Sequence, residues 1–334
     1  SEGSAADFTV KLSNPSATDT TVTLNLITNG AAGNASATDV GGLQYKDASG
    51  NWVNVPANGQ VTIAAGQTDV IVRVPTTQDG VYEGKENFTL QATVNGATVS
   101  GQGSIIDDGT GTIPPGQPGT PDNDQPKVAS VSSPSIAEGG NLVFDVKLDH
   151  SSTTTTLVNL NLANGSGTVG TDTSSYKVSF DNGLTYVDVV GGQISVPAGT
   201  VDIKIQVATV NDNLVEGDET ITLTAKSEFE TSGAGQTGTG TILDNDSATL
   251  SVTPALNNVS VSEGSAADFT VKLSNPSATD TTVTLNLVTA GGAGNASNTD
   301  VGGLQYKDGS GNWVNVPANG QVTIAAGQTD VIVR

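Results

Sequence analysis

The sequence predicts an all-β fold made of tandem immunoglobulin-like antiparallel β-sandwiches, and three observations predict it. Apolar residues recur with period two, as in Phe8, Val10 and Leu12 alternating with Thr9 and Lys11, the mark of half-buried strands. No window offers helical periodicity over three turns, and turn-forming clusters interrupt the apolar stretches every ten or so residues. The chain also repeats itself, so the same strand pattern is written more than once.

The repeat sets the frame. Residues 1–73 return as 262–334, differing only at Ile27/Val288, Asn29/Ala290, Ala31/Gly292, Ala37/Asn298 and Ala48/Gly309. A more distant copy lies between them, where AEGGNLVFDVKLD (137–149) answers SEGSAADFTVKLS (1–13), and ETITLTA (219–225) answers ENFTLQA (86–92). The expected organisation is a first sandwich over 1–108 lacking its first strand, a Pro/Gly-rich linker over 109–126, a complete second sandwich over 127–246, and a third over 247–334 stopping before its last strands. Such a chain reads as part of a longer array. Pro holds backbone extended and Gly supplies turns, so 109–126 is expected to separate units, whereas LDNDSATLSV joins units two and three without slack.

In the middle unit the expected strands are A (127–133), B (142–148), C (156–163), D (176–180) with a hairpin arm (185–189), E (200–208), F (219–226) and G (237–243). Phe144, Val146 and Leu148 mark B; Val158, Leu160 and Leu162 mark C. Ile203, Ile205 and Val207 mark E, and Ile221, Leu223 and Ala225 mark F. Thr-rich outer faces suit both strand propensity and solubility.

Composition removes whole classes of function. The 34 Asp+Glu against 12 Lys+Arg give a net charge of -22, which excludes a nucleic-acid groove or an anionic-membrane binder. Without Cys there are no disulfides, thiolate metal sites or cysteine nucleophiles, and one His leaves no His-paired zinc site. No apolar run is long enough to span a membrane and no signal-like stretch opens the sequence. A soluble extracellular protein is expected.

The acids are not scattered. In an up-and-down sandwich the AB, CD and EF loops and the end of G share one pole. That pole receives Glu138 (AB), Asp172 (CD), Asp212, Glu216, Asp218 and Glu219 (EF), and Asp244 and Asp246 (end of G). The opposite pole receives only Asp149, Glu228 and Glu230. The repeat places Glu2 and Glu263 against Glu138, and Asp39 and Asp300 against Asp172. It places Asp79, Glu83 and Glu86 against Asp212, Glu216 and Glu219, with Asp107 and Asp108 against 244–246. Gathered carboxylates repel unless protonated or neutralised. With Lys so scarce, a hard divalent cation is the expected neutraliser, and Ca2+, taking six to eight oxygens in flexible geometry, suits better than Mg2+. A merely solvated acidic pole is the alternative.

The strings NDNLVEGDETITLTA and GTGTILDND resemble the Calx-beta domain, found in sodium–calcium exchangers and repeated in large bacterial surface adhesins of the RTX type. The resemblance spans all three units and is most specific over 209–246. It implies a seven-stranded sandwich with calcium at the distal pole, its ligands falling on Glu138, Asp172, Asp212, Glu216, Glu219, Asp244 and Asp246. Departures are visible. Asn211 and Gln78 stand where the family doubles an EF-loop Asp, and Lys85 stands at the place of Asp218. Unit one ends Asp107–Asp108–Gly109, although an Asp-Asn-Asp occurs later at 122–124. The middle unit is thus expected to bind calcium best, unit one less well, and unit three, without EF loop or terminal acids, incompletely.

Other signals are set aside. Trp52 and Trp313 occupy the hairpin-arm position of Tyr186, which suggests sheet packing rather than a sugar-stacking cleft. His150 reads as a solvated loop residue, and the Asn-Xaa-Ser/Thr tripeptides at Asn34, Asn87 and Asn295 carry little. No enzyme site is expected. The expectation is a calcium-stiffened extender of a bacterial cell-surface adhesin, supporting adhesion or biofilm formation, with neighbouring repeats of its own chain as partners and its surface ligand unknown. A calcium-dependent lectin-like module and a filament or surface-layer protein assembling by strand exchange are the alternatives.

Overall fold

The computed structural model describes residues 1–107, 124–254 and 260–334, and among them every regular element is a strand. Asp108 and residues 109–123 of the expected linker lie outside the described residues. Unit one contributes β1 (Ala5–Lys11), β2 (Thr20–Ile27), β3 (Gln44–Lys46), β4 (Trp52–Asn54), β5 (Gln60–Ile63), β6 (Asp69–Pro75), β7 (Val81–Tyr82), β8 (Lys85–Val94) and β9 (Ala97–Ile106). Unit two contributes β10 (Val128–Val131), β11 (Ser135–Ala137), β12 (Asn141–Leu148), β13 (Ser151–Ser152), β14 (Thr156–Asn164), β15 (Thr173–Ser179), β16 (Val187–Asp188), β17 (Gln193–Val196), β18 (Asp202–Thr209), β19 (Glu219–Ser227) and β20 (Gln236–Leu243). Unit three contributes β21 (Leu250–Pro254), β22 (Phe269–Leu273), β23 (Thr281–Thr284), β24 (Gln305–Lys307), β25 (Trp313–Asn315), β26 (Gln321–Ile324) and β27 (Asp330–Val333).

Each unit pairs two sheets. In unit two they run β10-β12-β18-β15-β16 and β11-β20-β19-β14-β17; in unit one, β1-β6-β3-β4 and β5-β2-β8-β9. Unit three shows β21-β22-β27-β24-β25 facing the two-stranded β23-β26. The period-two pattern fills the space between the sheets. Along β12 the side chains of Leu142, Phe144, Val146 and Leu148 are buried while Asp145 and Lys147 face out. Ile203, Ile205 and Val207 of β18 and Ile221 and Leu223 of β19 meet them in one cluster, each such side chain contributing about 1.5–3 kcal/mol. Gly240 on β20 keeps the sheets close: a Cβ there would stand 2.7 Å from Phe144 Cζ. Separate clusters occupy unit one, around Val22, Val72 and Leu90, and unit three, around Val271 and Ile324.

Two strands add to those expected. Strand A forms as β10 within 127–133, and beyond Pro134 a further strand, β11, enters the other sheet parallel to β20 with Ile136 opposite Ile242. Pro134 sits at the change of sheet, where its missing N–H costs no ladder bond, and its carbonyl accepts Thr241 N–H at 2.9 Å. Residues 193–196, read as connection, form β17 along β14. Trp52 packs as expected: Arg73 stacks on its ring at 3.8 Å and is held by Asp7 at 2.7 and 2.9 Å, and Arg334 covers Trp313 at 3.9 Å. That face is taken.

Candidate cation sites at the acidic poles

Each acid reaches its pole through a local structural reason. In unit two Glu138 follows β11, its N–H bonded to Leu243 O at 3.0 Å. The next residue, Gly139, turns the chain at φ 76, a conformation L side chains adopt only at a cost. Asp172 is fixed at the start of β15, its carboxylate accepting Thr168 N–H at 2.6 Å. Asp244 leaves the end of β20 and accepts Glu216 N–H at 2.7 Å, which ties the EF loop to the terminal acids. Asn245 bridges Glu138 O and Asn211 Oδ1 at 3.2 and 3.1 Å. The Asn that replaces the family's second EF-loop Asp is therefore a structural clamp.

The structure brings the predicted residues of unit two together. Glu138, Asp172, Asp212, Glu216, Glu219 and Asp244 line one cavity of about 40 Å3. That is room for ions or a water or so rather than an organic ligand. Oxygens of Glu138, Asp244 and Asp246 lie within 4.8 Å of one another. Burial, then Asp172 and Glu216, pushes Glu219 up to about 7. Glu216 is raised by burial and by Asp212, Asp172 and Asp244, and Glu138 by burial and by Asp246 and Asp212. The buried Oε1 of Glu138 and Oδ2 of Asp246 accept no hydrogen bond.

Unit one repeats the arrangement as two groups, Asp39–Glu83–Glu86 and Glu2–Asp79–Asp124, each with oxygens within 4.8 Å. Glu2, Asp39, Asp107 and Asp124 are all buried. Asp107 accepts the N–H groups of Glu83 and Gly84, standing as Asp244 stands in unit two. Burial, then Glu83 and Asp39, pushes Glu86 up to about 7, and burial with Asp39 and Asp79 raises Glu83. Asp39 goes the other way. Burial would raise it, but donors from Ser36 and Thr38 hold it below the usual carboxylate range.

Asp124 falls within the expected linker and outside the expected ligand set, which put Asp107 and Asp108 against 244–246. The linker was expected to stay extended unless Asp122 and Asp124 were drawn into a site, and Asp124 is. The signal was present: Asp122–Asn123–Asp124 repeats Asp244–Asn245–Asp246. In unit three Glu263 and Asp300 are exposed and join no three-carboxylate group among the described residues. Asp300 is held low by the Ser297 N–H at 2.7 Å.

Contrast sharpens the point. At the opposite pole the acids are satisfied by backbone, Glu228 by Leu157 N–H (2.8 Å), Glu230 by Ser227 N–H (2.8 Å) and Asp149 by Lys127 N–H (2.7 Å). Arg73–Asp7, Lys177–Asp188 and Lys204–Asp145 form ion pairs, and none of the three involves a clustered acid of unit two.

The family model described as the Calx-beta domain matches residues 1–98, 122–247 and 243–312. The chain belongs to the Calx-beta domain family. Solved structures similar to it include the apo-form Calx CBD1 domain, 20% identical, covering 35% of this chain and 96% of that one with a TM-score of 0.27. The CBD12 structure from CALX1.2 is 16% identical over 61% of this chain and 73% of that one, with a TM-score of 0.27. The enterotoxigenic E. coli adhesin CfaE is 9% identical, over 72% and 93%, with a TM-score of 0.34. No curated protein matches the chain. The Calx-beta match over 122–247 takes in the whole carboxylate set of unit two, and the match over 1–98 takes in all of unit one's except Asp107 and Asp124.

Proposed function

We propose that this chain is a calcium-stiffened extender of a bacterial cell-surface adhesin, outside the cell and without catalytic activity. The observation that carries the reading is the convergence of six carboxylates on one small cavity in unit two, with no Lys or Arg among the described residues paired to any of them. Unit one converges the same residue types. The donor set fits Ca2+, which takes six to eight oxygens and tolerates irregular geometry. Glu138, Asp172, Asp212, Glu216, Glu219, Asp244 and Asp246 would hold it in unit two; Glu2, Asp39, Asp79, Glu83, Glu86, Asp107 and Asp124 would hold it in unit one. Bound cation supplies the charge that lets these acids stay ionised while buried. The folded, aligned state is thereby stabilised over the unfolded one by linkage.

The test is a calcium titration of the full chain, following melting temperature and solution-scattering dimension. A rise in melting temperature together with a narrower spread of dimensions is expected; no change in either sinks the proposal.

A further inference from the structure

The two joints between units differ in sequence, yet the described residues make them in the same way. In the first, Tyr82, immediately before Glu83, pairs in parallel with Ser152, and Thr153 N–H donates to Tyr82 O at 2.9 Å. In the second, Val215, immediately before Glu216, bridges in parallel to Ser277, and Ala278 N–H donates to Val215 O at 2.9 Å. The accepting loops share a shape. The Ser152 hydroxyl accepts Thr154 N–H at 3.0 Å and its carbonyl accepts Gly199 N–H at 2.8 Å. The Ser277 hydroxyl accepts Thr279 N–H at 3.3 Å and its carbonyl accepts Gly327 N–H at 2.8 Å.

The acids flanking the joints correspond too. Asp107 accepts Glu83 N–H as Asp244 accepts Glu216 N–H. Asp124 meets Glu2 as Asp246 meets Glu138. From Asp124 to the start of β10 at Val128, and from Asp246 to the start of β21 at Leu250, the step is the same (128 − 124 = 250 − 246). Asp107 and Asp124 therefore occupy the places that Asp244 and Asp246 occupy two residues apart.

We propose that the two joints are one joint, and that residues 108–123 are an insertion within the acidic corner of unit one rather than a spacer between units. Unit one then abuts unit two as closely as unit two abuts unit three. The inserted segment sets neither the separation nor the orientation of its neighbours.

Two variants of the full chain test this by solution scattering. Deleting residues 108–122 joins Asp107 directly to Asn123–Asp124 and recreates the Asp-Asn-Asp of 244–246. Duplicating residues 109–121 lengthens the same segment and guards against a deletion that fails to fold. A flexible spacer of about 15 residues spans roughly 20 Å, so a spacer predicts a maximum dimension shortened by about that much in the first variant and lengthened in the second. An insertion predicts no change in either; a shortening of about 20 Å in the first or a lengthening of about 8 Å in the second, the growth in span from about 15 to about 28 residues, overturns the proposal. A second arm rests on the cation reading. Removing the loop lowers the closure entropy for bringing Asp107 and Asp124 together, so unit one's calcium affinity should rise by a factor on the order of tens. If the wild-type chain binds no calcium, the cation reading fails while the scattering result still decides the joint.

Discussion

Lowering the pH should weaken calcium binding in a way the crowded carboxylates fix in advance. Glu86 and Glu219 are each pushed up to about 7 by burial and neighbouring acids, so without cation each carries a proton over part of the neutral range. A ligand must be ionised, so binding expels that proton. With a value near 7, each unit should release about half a proton at pH 7 and about 0.9 at pH 6. The apparent affinity of each sandwich should then fall about tenfold in all between pH 8 and pH 6, equivalent to about 1.4 kcal/mol. The sign for the cation-free protein is opposite to that of an ordinary paired carboxylate. Because the folded value lies above the unfolded one, the stabilising contribution is full below the ordinary Glu range and is lost as pH rises through about 7. Calorimetric titration at pH 6, 7 and 8 in two buffers of different ionisation enthalpy counts the protons directly. Flat affinity with no proton release at pH 6 would refute the assignment of these glutamates as crowded ligands.

Three further outcomes are expected. Glu219→Gln removes one charge from the cluster around Asp172 and Glu216. It should raise the cation-free melting temperature by the equivalent of about 1 kcal/mol, reduced by solvent screening, while abolishing most of the calcium-induced rise of unit two in differential scanning calorimetry. Gly240→Ala places a Cβ 2.7 Å from Phe144 Cζ and 2.9 Å from Leu142 Cδ1; it should destabilise unit two by about 1–3 kcal/mol in denaturant unfolding, with partial recovery when Phe144→Leu is added. Tyr82→Ala removes the edge contact with Phe229, whose ring centroid lies 4.9 Å away. A loss of about 0.5–1.5 kcal/mol should appear as looser coupling of units one and two in NMR relaxation, with the core of each unit unmoved.

Much of this was legible because the strands announce themselves. Leu142, Phe144, Val146 and Leu148 can share one face only if 141–148 is extended, and the four loops carrying the acids then fall at one end. Strand β17 was not legible, since Gln193–Val196 offers two apolar residues between Gly192 and Pro197. The extra strand β11 was foreshadowed only by Pro134, which precedes it. Asp124 was hidden by composition: the Pro and Gly around it read as linker, and what places it is spatial, the approach of Glu2 and Asp79 from the other side of unit one. The joints were invisible for a related reason, because they are made by backbone groups of Tyr82 and Val215, which any residue supplies.

The parallel pairing of β11 with β20 bears on what happens when such a chain is pulled. One strand lies near the start of unit two and the other at its end, and three residue pairs, Ser135–Thr241, Ile136–Ile242 and Ala137–Leu243, join them side by side. Tension applied at the two ends runs along this pair rather than across it. Its bonds are loaded in shear and must rupture together, not peel open singly. Glu138 and Asp244, the next residue on each strand, carry clustered carboxylates, so a cation held there would sit at the mechanical clamp itself.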